Sequence, residues 1–124
     1  MATILVVEDN NANATYTAFL LEKIGHKVLI ANSAESGLQI AHSSLPDLIL
    51  MDVRLPEMNG LEATQLLKQD EATKYIPIIA LTALRTDEHR RSMMTAGCDG
   101  YITKPVQYRD FWNNVEKYLA LESN

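Results

Sequence analysis

The chain has 124 residues, 47% apolar and 22% charged; that is one domain able to bury a core without staples, with a composition ordinary for a soluble globular protein. The net charge of −5 and the lack of any Lys/Arg cluster speak against direct nucleic-acid binding, which needs a basic surface to displace counterions. The single Cys98 excludes an internal disulfide and suits a reducing compartment, and the short apolar run after Met1-Ala2-Thr3 is no signal peptide or membrane span, so a cytoplasmic protein is expected.

Ile4-Leu5-Val6-Val7 reads as a strand that ends in Glu8-Asp9, with Asn10 as cap of the next helix. That helix presents Ala12, Tyr16, Phe19, Leu20 and Ile24 as its apolar stripe, and Gly25 stops it. Val28 to Ala31 makes a second strand. Ser33 caps a second helix whose stripe is Ala34, Leu38, Ala41 and Leu45, before Pro46. Leu48-Ile49-Leu50-Met51 then runs without alternation into Asp52, as expected of a strand buried on both faces. The loop Pro56 to Gly60 leads into a helix carrying Leu61 and Leu67.

Ile76 to Leu81 is a fourth strand with Pro77 at its start, and it ends at Thr82. Thr86-Asp87-Glu88 caps a fourth helix that Gly97 terminates, with Cys98 a small core residue. Gly100 to Thr103 is a short fifth strand leading to Lys104-Pro105. The fifth helix carries Tyr108, Phe111, Trp112, Val115, Tyr118 and Leu119 at helical spacing, and Tyr108 and Trp112 are assigned to its core stripe. His26, His42 and His89 share no metal-ligand spacing and read as ordinary surface residues.

Five β-α units in one chain imply an α/β fold: a parallel sheet covered on both faces through right-handed crossovers. Five units are too few for an eight-stranded barrel. The expected fold is a flavodoxin-like (βα)5 doubly wound sheet of order 2-1-3-4-5 in a three-layer α/β/α sandwich, forming one domain over residues 1–124 with no separate output domain.

The unusual polar residues all fall at C-terminal strand ends: Glu8 and Asp9, Asp52, Thr82 and Lys104. Ligands bind at that edge of an open parallel sheet, where strand order reverses. Each residue alone is explicable as a cap or turn; jointly that explanation is poor. Three crowded carboxylates repel unless a cation joins them; an all-oxygen donor set selects Mg²⁺, Mn²⁺ or Ca²⁺, and so few protein oxygens favour Mg²⁺, with Mn²⁺ as substitute. Lys104 and Thr82 suit the oxygens of a transferring phosphoryl group, and Asp52 can serve as an aspartyl nucleophile.

These motifs, in this order on five β-α units, resemble the receiver domain of two-component response regulators over essentially the whole chain. Glu8-Asp9-Asn10, Asp52 with Leu55-Pro56 and Gly60, Thr82-Ala83 and Lys104-Pro105 carry the match. Asn10, Asn13, Gly97-Cys98 and Lys104-Pro105-Val106 are also similar to receivers of hybrid kinases and to small single-domain cell-cycle regulators of the DivK type.

The resemblance implies a phosphoacceptor at Asp52 and Mg²⁺ held by Asp9, Asp52 and the backbone carbonyl of Arg54, with Glu8 acting through a water. It implies phosphoryl binding by Thr82 and Lys104, a cis Lys104-Pro105 peptide, and a switch in which Thr82 moves and Tyr101 turns inward. Tyr101 also has a plain packing reading, as an aromatic on an edge strand. Arg54 and Leu84 flank the acceptor and Thr82, where they would tune hydrolysis.

The implied phosphodonor is a sensor histidine kinase or a histidine phosphotransfer protein. The implied output is a downstream protein reached through the face of the fourth helix, fifth strand and fifth helix, by a monomer or weak dimer. No membrane or nucleic-acid partner is expected, nor any turnover beyond its own phosphorylation and dephosphorylation. A flavin-binding flavodoxin is disfavoured because Glu8-Asp9 would repel a phosphate. A haloacid-dehalogenase-type phosphatase is disfavoured because Arg54 stands where a second acid is needed. The competing reading is a receiver-fold interaction module that signals without phosphorylation.

Overall fold

Apolar runs without alternation become strands that are covered on both sides. The computed structural model describes residues 2–55, 57–83 and 86–122. Strands and helices alternate: β1 (Thr3–Val7), α1 (Asn11–Lys23), β2 (Lys27–Ala31), α2 (Ala34–Ser44), β3 (Leu48–Asp52), α3 (Gly60–Gln69), β4 (Ile78–Thr82), α4 (Asp87–Ala96), β5 (Gly100–Thr103) and α5 (Tyr108–Glu122). All strand pairs are parallel and the order is β2-β1-β3-β4-β5. The flavodoxin-like, doubly wound expectation holds.

Period-two geometry splits each strand between two cores. Leu5, Val7, Ile49 and Met51 pack with Ala34, Ala41, Ala63 and Leu67 of α2 and α3. Ile4, Val6, Leu48 and Leu50 face Leu20, Leu21, Phe111 and Val115 of α1 and α5. A third, smaller cluster joins Val53, Ala80, Met93 and Cys98, with Leu61 against it, beneath α4.

The helix ends follow the expected chemistry. Asn10, Ser33 and Thr86 accept backbone N–H groups as N-caps, and Asn59 and Glu62 form a reciprocal capping box. Gly97 ends α4 in the left-handed region at φ 108°. Pro77 lies just before β4, where no ladder donor is required.

Several apolar assignments need correction. The buried face of α1 is Ala14, Thr17, Ala18, Leu20 and Leu21, while Tyr16 and Phe19 are exposed. The true stripe runs i, i+3, i+4 and i+7 through Ala14, Thr17, Ala18 and Leu21, the first three of them small, so weighting by side-chain size selected the wrong face. Leu45 is not in the α2 stripe but is its exposed C-cap, in the left-handed conformation at φ 45°. Tyr108 is exposed as well, set edge-on to Trp112 at 5.2 Å between centroids. Trp112 is half-buried and donates its indole N–H to the Leu20 carbonyl at 2.8 Å, pinning α5 to α1.

Two histidines are structural rather than merely superficial. The largely buried His26 ring accepts from the Ala2 backbone N–H at 3.1 Å and bonds Glu116 at 2.8 Å, tying the start of β1 to α5. His42 lies between the Leu38 carbonyl at 2.9 Å and the Asp70 carboxylate at 2.7 Å. Both are acceptors, so the site favours the cationic ring, whose two nitrogens both donate.

Candidate phosphoacceptor site

Parallel register brings the polar strand ends level. Val7 pairs with Met51, so Glu8 and Asp52 leave adjacent strands side by side. Asp52 pairs with Leu81 and Thr82 with Thr103, which brings Thr82 and Lys104 to the same rim. Glu8, Asp9 and Asp52 each place a carboxylate oxygen within 4.8 Å of the other two. Glu8, Asp52 and Thr82 are buried, and Asp9 is exposed at the mouth.

Lys104 crosses this group. Its Nζ lies 2.9 Å from Glu8 Oε1 and 3.3 Å from Asp52 Oδ2. The other Glu8 oxygen is 3.5 Å from the Asn10 backbone N–H, and Asp52 Oδ1 accepts the Arg54 N–H at 3.0 Å. Burial, then the neighbouring Asp52, lift the Glu8 carboxyl above the usual carboxylate range despite Lys104. Burial disfavours the Lys104 ammonium, but Glu8 and Asp52 outweigh it and hold the lysine above its ordinary value. Burial thus acts oppositely on the two groups, whereas the crowding of Glu8 and Asp52 around one lysine favours the proton on both.

That imbalance tests the fit of a divalent cation. The donors are carboxylate oxygens, gathered to ligand spacing, partly dehydrated and under-neutralised, and they suit Mg²⁺. Asp9 and Asp52 would hold it, and Glu8, whose oxygens face Lys104 and the Asn10 N–H, is placed to act at one remove.

The loop after Asp52 is drawn tightly under the site. The Gly60 N–H donates to the Val53 carbonyl at 3.1 Å, and a Cβ on Gly60 would stand 2.1 Å from the Asp52 carbonyl oxygen. Only glycine allows that approach. The Arg54 side chain is exposed beside the acceptor. Pro56 and Leu84 lie outside the described residues. Lys104-Pro105 is cis, as expected. A cleft of about 510 Å³ opens beside Glu8 and Lys104, walled by Asn13, Tyr16 and Thr17 of α1 and by Pro105 and Val106. Tyr101 on β5 is 36% exposed, with the Arg90 guanidinium 5.4 Å above its ring. Sequence reading gave no hint of Arg90, because only the fold brings α4 over β5.

Fold and site together define an open α/β protein with an acidic, lysine-bridged strand-end centre. The chain belongs to the response regulator receiver domain family, whose profile matches residues 4–116. It is 38% identical over 118 residues to the polar-differentiation response regulator DivK of Brucella ovis, covering 95% of this chain and 96% of that one. The expected similarity to DivK-type regulators is therefore found. A CheY-like receiver domain protein from Methanospirillum hungatei superposes with a TM-score of 0.92 at 30% identity, covering 99% of this chain and 97% of the other. The receiver domain of a Pseudomonas aeruginosa sensor histidine kinase gives a TM-score of 0.89 at 31% identity, with 96% and 98% coverage, and holds a magnesium ion in its active-site cleft. Among the described residues, no helix is long and apolar enough to cross a membrane.

Proposed function

We propose that this receiver is a phosphorylation-gated regulator in which Asp52 accepts a phosphoryl group from a phosphohistidine. The donor is a sensor histidine kinase or a histidine phosphotransfer protein. The observation that carries the reading is the Lys104 ammonium bridging Asp52 and Glu8, with Asp9 completing the acidic group. An Asp52 oxygen attacks phosphorus, the bond to the donor imidazole nitrogen breaks, and the imidazole takes up a proton. Lys104 exchanges its carboxylate contacts for the phosphoryl oxygens, and Thr82 supplies a hydroxyl. Asp9, Asp52 and the Arg54 carbonyl would hold Mg²⁺, or Mn²⁺ in its place, with Glu8 acting through water, and the ion would offset the charge of the carboxylates and the phosphoryl oxygens.

The group leaves by hydrolysis, so the chain turns over only its own phosphate and is not a turnover enzyme. Arg54 and Leu84 limit the attacking water; Arg54→Ala and Leu84→Ala should each change the hydrolysis rate, and an unchanged rate removes this role. Thr82 follows the phosphoryl group and Tyr101 turns inward, altering the face of α4, β5 and α5 that a downstream protein binds in the cytoplasm. Both states pre-exist, and the phosphoryl group shifts their populations by its differential contacts.

Incubation with acetyl phosphate and Mg²⁺ should add one hydroxylamine-labile phosphoryl group by intact mass. It should be lost in Asp52→Asn and without Mg²⁺. A wild type that stays unmodified sinks the reading and leaves a phosphorylation-independent interaction module.

A further inference from the structure

We infer that Arg90 is a positioning residue for the switch: its guanidinium latches Tyr101 in the outward position and makes the seating of α4 part of the resting state. The inference rests on the reading that Tyr101 turns inward when Asp52 is phosphorylated. Three observations carry it.

The Arg90 guanidinium lies 5.4 Å above the centre of the Tyr101 ring, which is 36% exposed on the edge strand β5. Arg90 takes part in none of the ion pairs among the described residues, so the ring face is the partner its charge has found. The helix that carries it is lightly held, since α4 buries only Met93 and Ala96 of its ten residues.

Arg90 and Met93 are three residues apart and lie on neighbouring positions of one helix face. Met93 sits in the small cluster with Val53, the residue after Asp52. The same face of α4 thus packs on the side chain of the residue after Asp52 and holds the switch ring. An inward turn of Tyr101 must give up the Arg90 contact, and a shift of α4 must loosen it. An exposed contact of this kind biases the outward state roughly two- to five-fold, the population ratio equivalent to about 0.5–1 kcal/mol. That bias sets a resting population without preventing switching.

The test uses the full chain labelled with 3-fluorotyrosine, the Tyr101 ¹⁹F resonance being assigned by its loss in Tyr101→Phe. Phosphorylation of wild type with acetyl phosphate and Mg²⁺ gives the reference displacement. Unphosphorylated Arg90→Ala should already be displaced along that direction, with the inward-to-outward ratio raised roughly two- to five-fold, whereas Arg90→Lys should restore most of the wild-type position. Arg90 is exposed, so both variants should keep the wild-type far-UV spectrum. An Arg90→Ala resonance superposed on unphosphorylated wild type overturns the latch alone. A wild-type resonance that stays still, although intact mass shows the phosphoryl group on the chain, overturns the Tyr101 switch and the latch with it.

Discussion

Asp52 is defined as much by what lies under its backbone as by what faces its carboxylate. Gly60 approaches the Asp52 carbonyl so closely that one methyl group cannot fit. Gly60→Ala should therefore push apart β3 and the start of α3, costing about 1–3 kcal/mol as overpacking does. Urea unfolding measures this, and a change under 0.5 kcal/mol would show the loop yields freely. The strand-end residues Glu8, Asp52, Thr82 and Lys104 were legible because their positions coincide: each alone reads as a cap or turn, but together they stand at the C-terminal ends of four of the five strands. His26 and Trp112 were not. Their roles depend on a backbone amide and a carbonyl 24 and 92 residues away, and no local pattern records such partners.

Elements show the same division. Strands and caps were readable because both rest on local chemistry, whereas the α1 face was misread because Ala14, Thr17 and Ala18 bury it without bulk. The ion pair of His42 and Asp70 joins the last turn of α2 to the end of α3. Asp70, through its hydrogen bond, holds His42 above its ordinary 6.5, and His42 holds Asp70 below its ordinary 3.8. The histidine contribution is full below 6.5 and fades as pH rises through the raised value; the aspartate contribution is full above 3.8 and fades as pH falls through the lowered one. The Tm difference between wild type and His42→Gln should accordingly be greatest between those two pH values and shrink above 6.5. A difference independent of pH would assign His42 to packing instead. For α4, Met93→Ala should cost about 2–3 kcal/mol in urea unfolding, low in the usual range because a lightly seated helix can settle into the gap. A loss above 4 kcal/mol would mean α4 is rigidly fixed.

At the scale of the molecule, the acidic rim makes stability responsive to divalent cations. Mg²⁺ binding to the folded chain alone should add about 2.7 kcal/mol at a hundredfold excess over Kd. Thermal unfolding with and without MgCl₂ reads the increment, which Asp9→Asn should remove; an equal increment in that variant would place the ion elsewhere. The sheet order also carries a timetable. A ribosome delivers β1 first, then β2 for one flank and β3 for the other, so three neighbouring strands are made before β4 and β5. The carboxylates of Glu8, Asp9 and Asp52 are thus assembled from the first half of the chain, while the lysine that bridges two of them comes from beyond the final strand. A nascent or prematurely terminated chain lacking Lys104 carries the acids without their counter-charge. Only a chain that extends past β5 therefore brings the Lys104 ammonium against the carboxylates of Glu8 and Asp52.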